Sequence, residues 1–371
     1  MREILFVAGE TSGDLHAAGV AAELKHIRSD VPLAGVGGDR MRQEGVTLLA
    51  HAQSLAVMGF TEVLTHIPKH WALLRSLTRR LRAGQVGLVV LIDYPGFNMK
   101  LAGAARRCGV PVLYYITPQV WAWGAKRLAA LARTVSRAAV ILPFEEALLR
   151  AHGVHATFVG HPLLDRAQSL PSREEARSAL GLATSAPVLA LFPGSRAQEI
   201  HRHLEPFVAT AHVLKERVPS LQVVVSVAPG IAIDPLACPY PLVRSASFDV
   251  LRAADAAFCK SGTSTLEAAV ADCPLAVGYR TGRWTYAVAR RVVTIPYIGL
   301  VNVVAEREVA PEFVQGALVP ERVADALQPL LSDTPRRQEM QSALAEVRAR
   351  LGTAGAARRV AAMALELLDG S

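Results

Sequence analysis

The segment Lys260-Ser-Gly-Thr-Ser-Thr-Leu-Glu267 follows a short apolar run, Ala256 to Phe258, and leads into a helical pattern. A strand that passes through small residues into a helix exposes consecutive backbone N–H groups at the positive end of the helix dipole. Such a turn can cradle a diphosphate, and Gly262 lets the chain approach it closely. Ser261, Gly262 and Thr263 are therefore the phosphate-facing candidates. Glu267, about one turn further on, is placed to accept hydrogen bonds from the two hydroxyls of a ribose. The pattern reads as a nucleotide-diphosphate site without a Walker lysine. The plain alternative is an ordinary helix capped by Thr263 or Ser264.

Carboxylates for proton transfer occur in two places. Asp93 ends the apolar run Gly87 to Ile92, just before Tyr-Pro-Gly breaks it, and Glu10 and Asp14 lie on the loop after the first apolar run. Burial behind apolar residues should raise the pKa of Asp93, and a strand end aims it at a ligand, so it is the first candidate for a general base. Glu10 is the other candidate for the base, or a holder of acceptor hydroxyls. The competing role for Asp93 is to cap the helix that starts near Phe97. Arg196, closing Phe192-Pro-Gly-Ser-Arg196, offers a guanidinium fork to a departing diphosphate. Asn302 is placed to hydrogen-bond a sugar or phosphate, although a turn asparagine would account for it nearly as well.

Two further stretches suit an amphiphilic substrate. Trp121 and Trp123 lie beside a helix start and could wall a sugar or an acyl chain, with core packing as the alternative. Residues 55 to 82 combine Met58, Phe60 and Trp71 with Arg75, Arg79, Arg80 and Arg82. Apolar residues beside a basic cluster suit an interfacial membrane segment, and a core-facing helix predicts the same spacing. There is no Asp-x-Asp, no P-loop and no His-Glu-x-x-His, and Gly35-Val-Gly-Gly38 lacks the full dinucleotide fingerprint. The expectation is a reaction on a nucleotide-linked substrate with no metal and no cofactor.

The elements that must carry these groups alternate. Apolar runs at residues 2–8, 33–36, 87–92, 112–116 and 138–142 are separated by helical stretches, which predicts a parallel sheet covered on both faces. After the proline-bounded segment 162–171 a second series follows, at 188–192, 223–227, 242–244, 256–258 and 274–278. The fold class is therefore α/β, with two doubly wound domains facing a cleft and ligands at the carboxyl ends of the strands. The stretch from Pro335 to Leu368 is helical.

Composition agrees. At 371 residues the chain exceeds what one core usually serves. Apolar residues make up 51% and charged residues 19% of it, which excludes a disordered chain. The longest uncharged runs, residues 108–125 and 178–195, reach 18 residues, but prolines, glycines and polar residues break both, so no membrane span is expected. The first strand leaves no room for a signal sequence, so a cytoplasmic protein is expected. The four cysteines form no C-x-x-C pair. Of the net charge of +8, residues 1–167 hold +7, with 19 Lys and Arg against 12 Asp and Glu. An anionic partner is expected there, and no motif points to nucleic acid.

Taken together, the chain resembles the lipid-A-disaccharide synthases. The resemblance rests on Val7-Ala-Gly-Glu-Thr-Ser-Gly-Asp14, Leu55-Ala-Val-Met-Gly59, Ile92-Asp-Tyr-Pro-Gly-Phe-Asn98, Pro118-Gln-Val-Trp-Ala-Trp123 and Leu142-Pro-Phe-Glu145. It continues through Val159-Gly-His-Pro162, Pro193-Gly-Ser-Arg196, Ser261-Gly-Thr263 with Glu267, and Val277-Gly-Tyr-Arg280, in order over nearly the whole chain. One departure is Gly96, where the family usually has a second aspartate.

The resemblance implies an inverting glycosyltransferase of the GT-B kind, with two Rossmann-like domains. They would span residues 1–167, facing acceptor and membrane, and 168–350, binding the UDP-sugar. Residues 351–371 would form a helix returning to the N-terminal domain. The implied donor is UDP-2,3-diacylglucosamine and the acceptor 2,3-diacylglucosamine 1-phosphate, joined β(1→6) with release of UDP at the inner face of the cytoplasmic membrane. Asp93 or Glu10 would be catalytic, and Arg196, Ser261, Gly262, Thr263, Glu267 and Asn302 would bind UDP. Met58, Phe60, Trp71, Arg75, Trp121 and Trp123 would face acceptor or lipid. Another UDP-sugar enzyme of the same fold, a cell-wall glycosyltransferase or an epimerase, is the alternative, as is a non-catalytic homologue that binds UDP-sugar or lipid.

Overall fold

The run Val86–Ile92 is buried at every one of its positions, which a strand can be only where both faces of its sheet are covered. The computed structural model describes residues 2–54, 62–119, 125–244, 246–282, 284–286 and 296–370. The chain divides into two compact units, Met1–Pro162 with Thr353–Ser371, and Leu163–Gly352.

The first unit holds β1 (Glu3–Ala8), β2 (Leu33–Gly37), β3 (Thr47–His51), β4 (Val86–Ile92), β5 (Val112–Tyr115), β6 (Arg137–Val140) and β7 (Ala156–Phe158). They form one parallel sheet in the order β3-β2-β1-β4-β5-β6-β7. One face is covered by helices Glu62–Arg82, Pro95–Arg107 and Ala125–Thr134, which bury Leu77, Leu81, Leu101 and Leu131. The other face is covered by Thr11–Ile27 and by the last helix, Ala356–Asp369, whose Val360, Ala361 and Ala364 share a core with Val20 and Leu24. Arg28 grips Asp369 through its two terminal guanidinium nitrogens at 2.8 and 2.5 Å, and Arg359 donates to the Val159 carbonyl at 2.8 Å.

The second unit holds β8 (Val188–Phe192), β9 (Gln222–Val227), β10 (Leu242–Arg244), β11 (Ala256–Lys260), β12 (Leu275–Tyr279) and β13 (Glu312–Val314). These are also parallel, in the order β10-β9-β8-β11-β12-β13. Asp255, just before β11, ties the lower edge of this sheet together. It accepts from Arg173, from Arg177 at 2.7 Å, from Arg337 at 3.0 Å and from the Val188 N–H at 2.8 Å.

Three strands lie outside the runs singled out from the sequence, β3, β7 and β13. They are edge strands, and β7 and β13 have three residues each. The helical tail from Pro335 is two helices, Pro335–Arg350 and Ala356–Asp369. The break carries Gly352 and Gly355 at φ values of 87° and 94°, a conformation that other residues adopt at a cost.

Candidate active site

Each sheet reverses its strand order once, and an open α/β sheet leaves a crevice at the carboxyl edge there. In the first unit the reversal lies between β1 and β4, where Ala8 pairs with Ile92. The next residues out are Gly9 and Glu10 on one strand and Asp93 on the other, so the topology itself brings the two candidate bases to one point. Asp93 and Tyr94 are both left-handed, at φ 45° and 51°. Two consecutive non-glycine residues in that region store strain, which the surroundings must hold. The Asp93 carbonyl accepts from Asn98 Nδ2 at 2.7 Å and from Tyr114 Oη at 2.8 Å. Helix Pro95–Arg107 takes Tyr94, not Asp93, as its N-cap residue.

The Tyr94 ring lies flat on the chain at Gly9, where a Cβ would stand 2.4 Å from ring atoms. Its hydroxyl meets His70 Nε2 at 2.6 Å. Burial raises the Tyr94 phenol, and the Glu10 carboxylate adds to the shift. Burial likewise raises Tyr114, with Asp93 as a second cause. Both carboxylates thus act electrically on the same small region. Asp14 does not join them. It is buried and accepts from the N–H groups of Gly38, Arg40 and Met41 at 2.6, 3.2 and 3.2 Å, fixing the turn after β2.

In the second unit the reversal lies between β8 and β11, where Phe192 pairs with Cys259. The loops leaving this point are Pro193 to Arg196 and Lys260 to Thr263. Helix Ser264–Val270 has seven residues, so its dipole is small and the cradle depends on individual N–H groups. Those of Gly262, Thr263 and Ser264 make no hydrogen bond among the described residues. The capping alternative is not realised. Thr263 makes no side-chain cap, the Ser264 hydroxyl donates to the Lys260 carbonyl at 3.2 Å, and that of Thr265 donates to Gly262 at 2.8 Å. Gly262 sits at φ 152°, which L side chains rarely adopt.

Glu267 is largely buried and meets Arg166 at 3.2 Å. Burial raises its pKa, opposed by the Arg166 guanidinium and by Ser247, and Arg166 itself lies 4.7 Å from the Phe248 ring centre. Arg196 is 68% exposed, with Glu199 at 3.9 Å.

Two expected phosphate or sugar contacts are corrected. Asn302 is 0% exposed. Its amide donates to Ala310 O and Glu312 Oε1 at 2.7 and 2.9 Å, and its oxygen accepts from Val309 and Ala310 at 2.8 and 2.9 Å. All four hydrogen-bonding sites of the side chain are spent inside the fold. Ser261 is also committed, its hydroxyl to Ile298 O at 2.6 Å and its N–H to Gly278 O at 3.3 Å. Of the phosphate candidates, Gly262 and Thr263 keep N–H groups that make no hydrogen bond among the described residues.

Of the lipid-facing candidates, Met58, Phe60, Trp121 and Trp123 lie outside the described residues. Trp71 is 50% exposed, with Lys100 Nζ 5.2 Å from its ring centre, and Arg75 is exposed. Arg80 is taken by Glu3 at 2.7 Å, and Leu77 and Leu81 are buried. The helix Glu62–Arg82 is therefore core-facing over its second half, with Trp71 and Arg75 left on the outside. Among the described residues no helix is long and apolar enough to cross a membrane, and no cluster of three His, Cys, Asp or Glu is placed to hold a metal.

Sequence reasoning missed Tyr94, Arg166 and the pair Lys260 and Glu199, whose ammonium and carboxylate meet at 2.9 Å. A charged residue ending the apolar run Ala256 to Cys259 was the available signal for Lys260. His161 is buried. Burial pushes its imidazole down to about 3, and His16 adds to the shift. The unfolded chain takes up this proton near pH 6.5 and the folded one only near the lowered value, so the histidine costs no stability above about 6.5 and progressively more below it. The unfolding free energy should therefore fall by up to about 1.4 kcal/mol per pH unit as pH drops below about 6.5. His161→Gln should remove that part of the slope in denaturant titrations, and a slope unchanged by the substitution would exclude the assignment.

The family model described as lipid-A-disaccharide synthetase matches residues 4–366. The lipid-A-disaccharide synthase of Syntrophus aciditrophicus is 41% identical, covering 99% of this chain and 98% of that protein. That of an Anaeromyxobacter species is 43% identical over 97% and 96%, and that of Myxococcus xanthus 41% over 98% and 97%. Among solved structures, the calicheamicin glycosyltransferase aligns with a TM-score of 0.64 at 18% identity, covering 100% of this chain and 99% of that one. The UDP-GlcNAc 2-epimerase of Neisseria meningitidis aligns at 0.63 with 12% identity, covering 100% of both. These structural likenesses identify the fold as the GT-B pair of Rossmann-like domains. The sequence relationship is closer and runs the length of the chain, and with it the chain belongs to the lipid-A-disaccharide synthase family of glycosyltransferases.

Proposed function

We propose that the protein joins UDP-2,3-diacylglucosamine to 2,3-diacylglucosamine 1-phosphate, forming a β(1→6)-linked disaccharide 1-phosphate and UDP. One observation carries this reading. Asp93 with Glu10 stands at the switch point of one sheet, and Arg196 with the Gly262–Thr263 turn stands at the switch point of the other. Asp93 takes the proton of the acceptor's 6-hydroxyl as that oxygen attacks the anomeric carbon from the face opposite UDP, inverting it. The bond from that carbon to the diphosphate breaks, and the electron pair leaves on the phosphate oxygen. Arg196 and the N–H groups of Gly262 and Thr263 hold the charge that develops there, commonly the largest contribution to such a step. Glu267, kept in place by Arg166, takes the ribose hydroxyls.

Both substrates carry acyl chains, so the reaction belongs at a membrane surface. Trp71 and Arg75, exposed on one helix, suit peripheral contact with the anionic inner face of the cytoplasmic membrane. The test is UDP release by the purified chain from detergent-dispersed substrates. Equal amounts of UDP and disaccharide, formed only when both sugars are present, are expected. UDP release that is indifferent to the acceptor, or none at all, would overturn the proposal.

A further inference from the structure

We propose that Lys260 binds the donor's diphosphate and that Glu199 holds the lysine in position for it, an inference that rests on the donor reading above. Lys260 is the last residue of β11, and its Nζ lies 3.4 Å from where a Cβ on Gly262 would be. The ammonium therefore stands against the turn whose three N–H groups make no hydrogen bond among the described residues. It is not a solvated surface cation, because its side chain is 17% exposed and its partner Glu199 16%. Glu199 is itself anchored twice. Its Oε2 accepts from the Ser195 N–H at 2.9 Å, and its carbonyl accepts from His203 Nδ1 at 2.7 Å. His203 Nε2 in turn accepts from the Arg280 N–H at 2.9 Å. The chain from Arg280 through His203 and Glu199 to Lys260 thus runs across the carboxyl edge of the sheet at its switch point.

The charges make the arrangement asymmetric. Burial raises Glu199, but Lys260, the Ser195 N–H and Arg196 outweigh it and hold the carboxyl below its usual range, so it is ionised at neutral pH. A diphosphate brought to the Gly262–Thr263 turn without Lys260 would face that carboxylate unshielded. With the lysine present, the ammonium lies between the two anions and is shared by them. This is the place a P-loop lysine fills elsewhere, reached here from a strand end rather than from a glycine-rich loop.

The test is calorimetric titration of the full-length protein with UDP and, separately, with uridine. Lys260→Met should weaken UDP binding at least tenfold, flatten its salt dependence and leave uridine affinity unchanged. A glutamine at 199 keeps an oxygen for the Ser195 N–H but has no carboxylate to hold the ammonium, so Glu199→Gln should also weaken UDP binding, by a smaller factor than Lys260→Met and again without effect on uridine. If the Lys260 variant is unstable because Glu199 is left unpaired, the double variant Lys260→Met with Glu199→Gln removes both charges and should still bind UDP more weakly than the parent. UDP affinity unchanged in a folded Lys260→Met protein overturns the inference. Thr263→Pro then separates the two levels, because proline fits the φ of −59° at that position and removes one N–H of the turn. If it weakens UDP binding, the donor site stands and only the role of Lys260 falls. If it does not, both fall.

Discussion

Asp93→Asn is expected to lower turnover by about a hundredfold to ten-thousandfold, the usual contribution of a positioned general base, while donor affinity stays as it was. Asparagine keeps the shape of the side chain, and the carbonyl held by Asn98 and Tyr114 is untouched. Only proton acceptance is lost, so kcat and kcat/KM should fall together. Glu10→Gln is the companion measurement. If Glu10 merely holds acceptor hydroxyls, its variant should show a raised acceptor KM and a smaller loss in kcat. A glutamine variant more damaged in kcat than the asparagine variant would move the base to the first loop. Near-normal turnover in Asp93→Asn would remove Asp93 from the chemistry altogether.

The second large effect concerns stability. Asp255→Asn should cost about 3–5 kcal/mol, the range for removing one partner of a buried ion pair. Three arginines and the Val188 N–H converge on this carboxylate, and Arg177 beside it is 4% exposed. Burial lowers the Arg177 pKa, and Arg173 pushes the same way, with Asp255 opposing both. Without the carboxylate, like charges are left facing one another under the sheet. In calorimetry the second unit should melt roughly 6–20 °C lower. Asp325→Asn, which removes the exposed partner of Arg217, should change stability by less than about 1 kcal/mol. Equal effects from the two substitutions would show that burial is not what gives the Asp255 cluster its weight.

Much of the candidate site was legible because its residues end apolar runs. Asp93 closes β4, and the Pro193-to-Arg196 and Lys260-to-Thr263 turns close β8 and β11, so a change from apolar to polar marks the carboxyl edge of each sheet. Strand order is a matter of long-range pairing and leaves no local mark, so the switch points themselves came only with the fold. Asn302 was misread for a related reason. As a residue type a turn asparagine and a ligand-binding asparagine look alike. What fixes its role is Glu312, ten positions away on β13, an edge strand of three residues with no periodicity to detect. Tyr94 escaped notice because its function is a backbone conformation, φ 51°, and a ring laid on Gly9, neither of which its type announces. The lysine at 260 was visible but took its meaning from Glu199, more than sixty positions earlier.

The last helix, Ala356–Asp369, completes the hydrophobic layer that begins with β1 and Thr11–Ile27. On the ribosome the whole of the second unit is synthesised before that helix exists. Until it emerges, the apolar face around Val20 and Leu24 has no cover, and the unit begun first is finished last. Nascent chains stalled before residue 353 should therefore display that face to chaperones and proteases, with release of the final segment acting as the step that closes it.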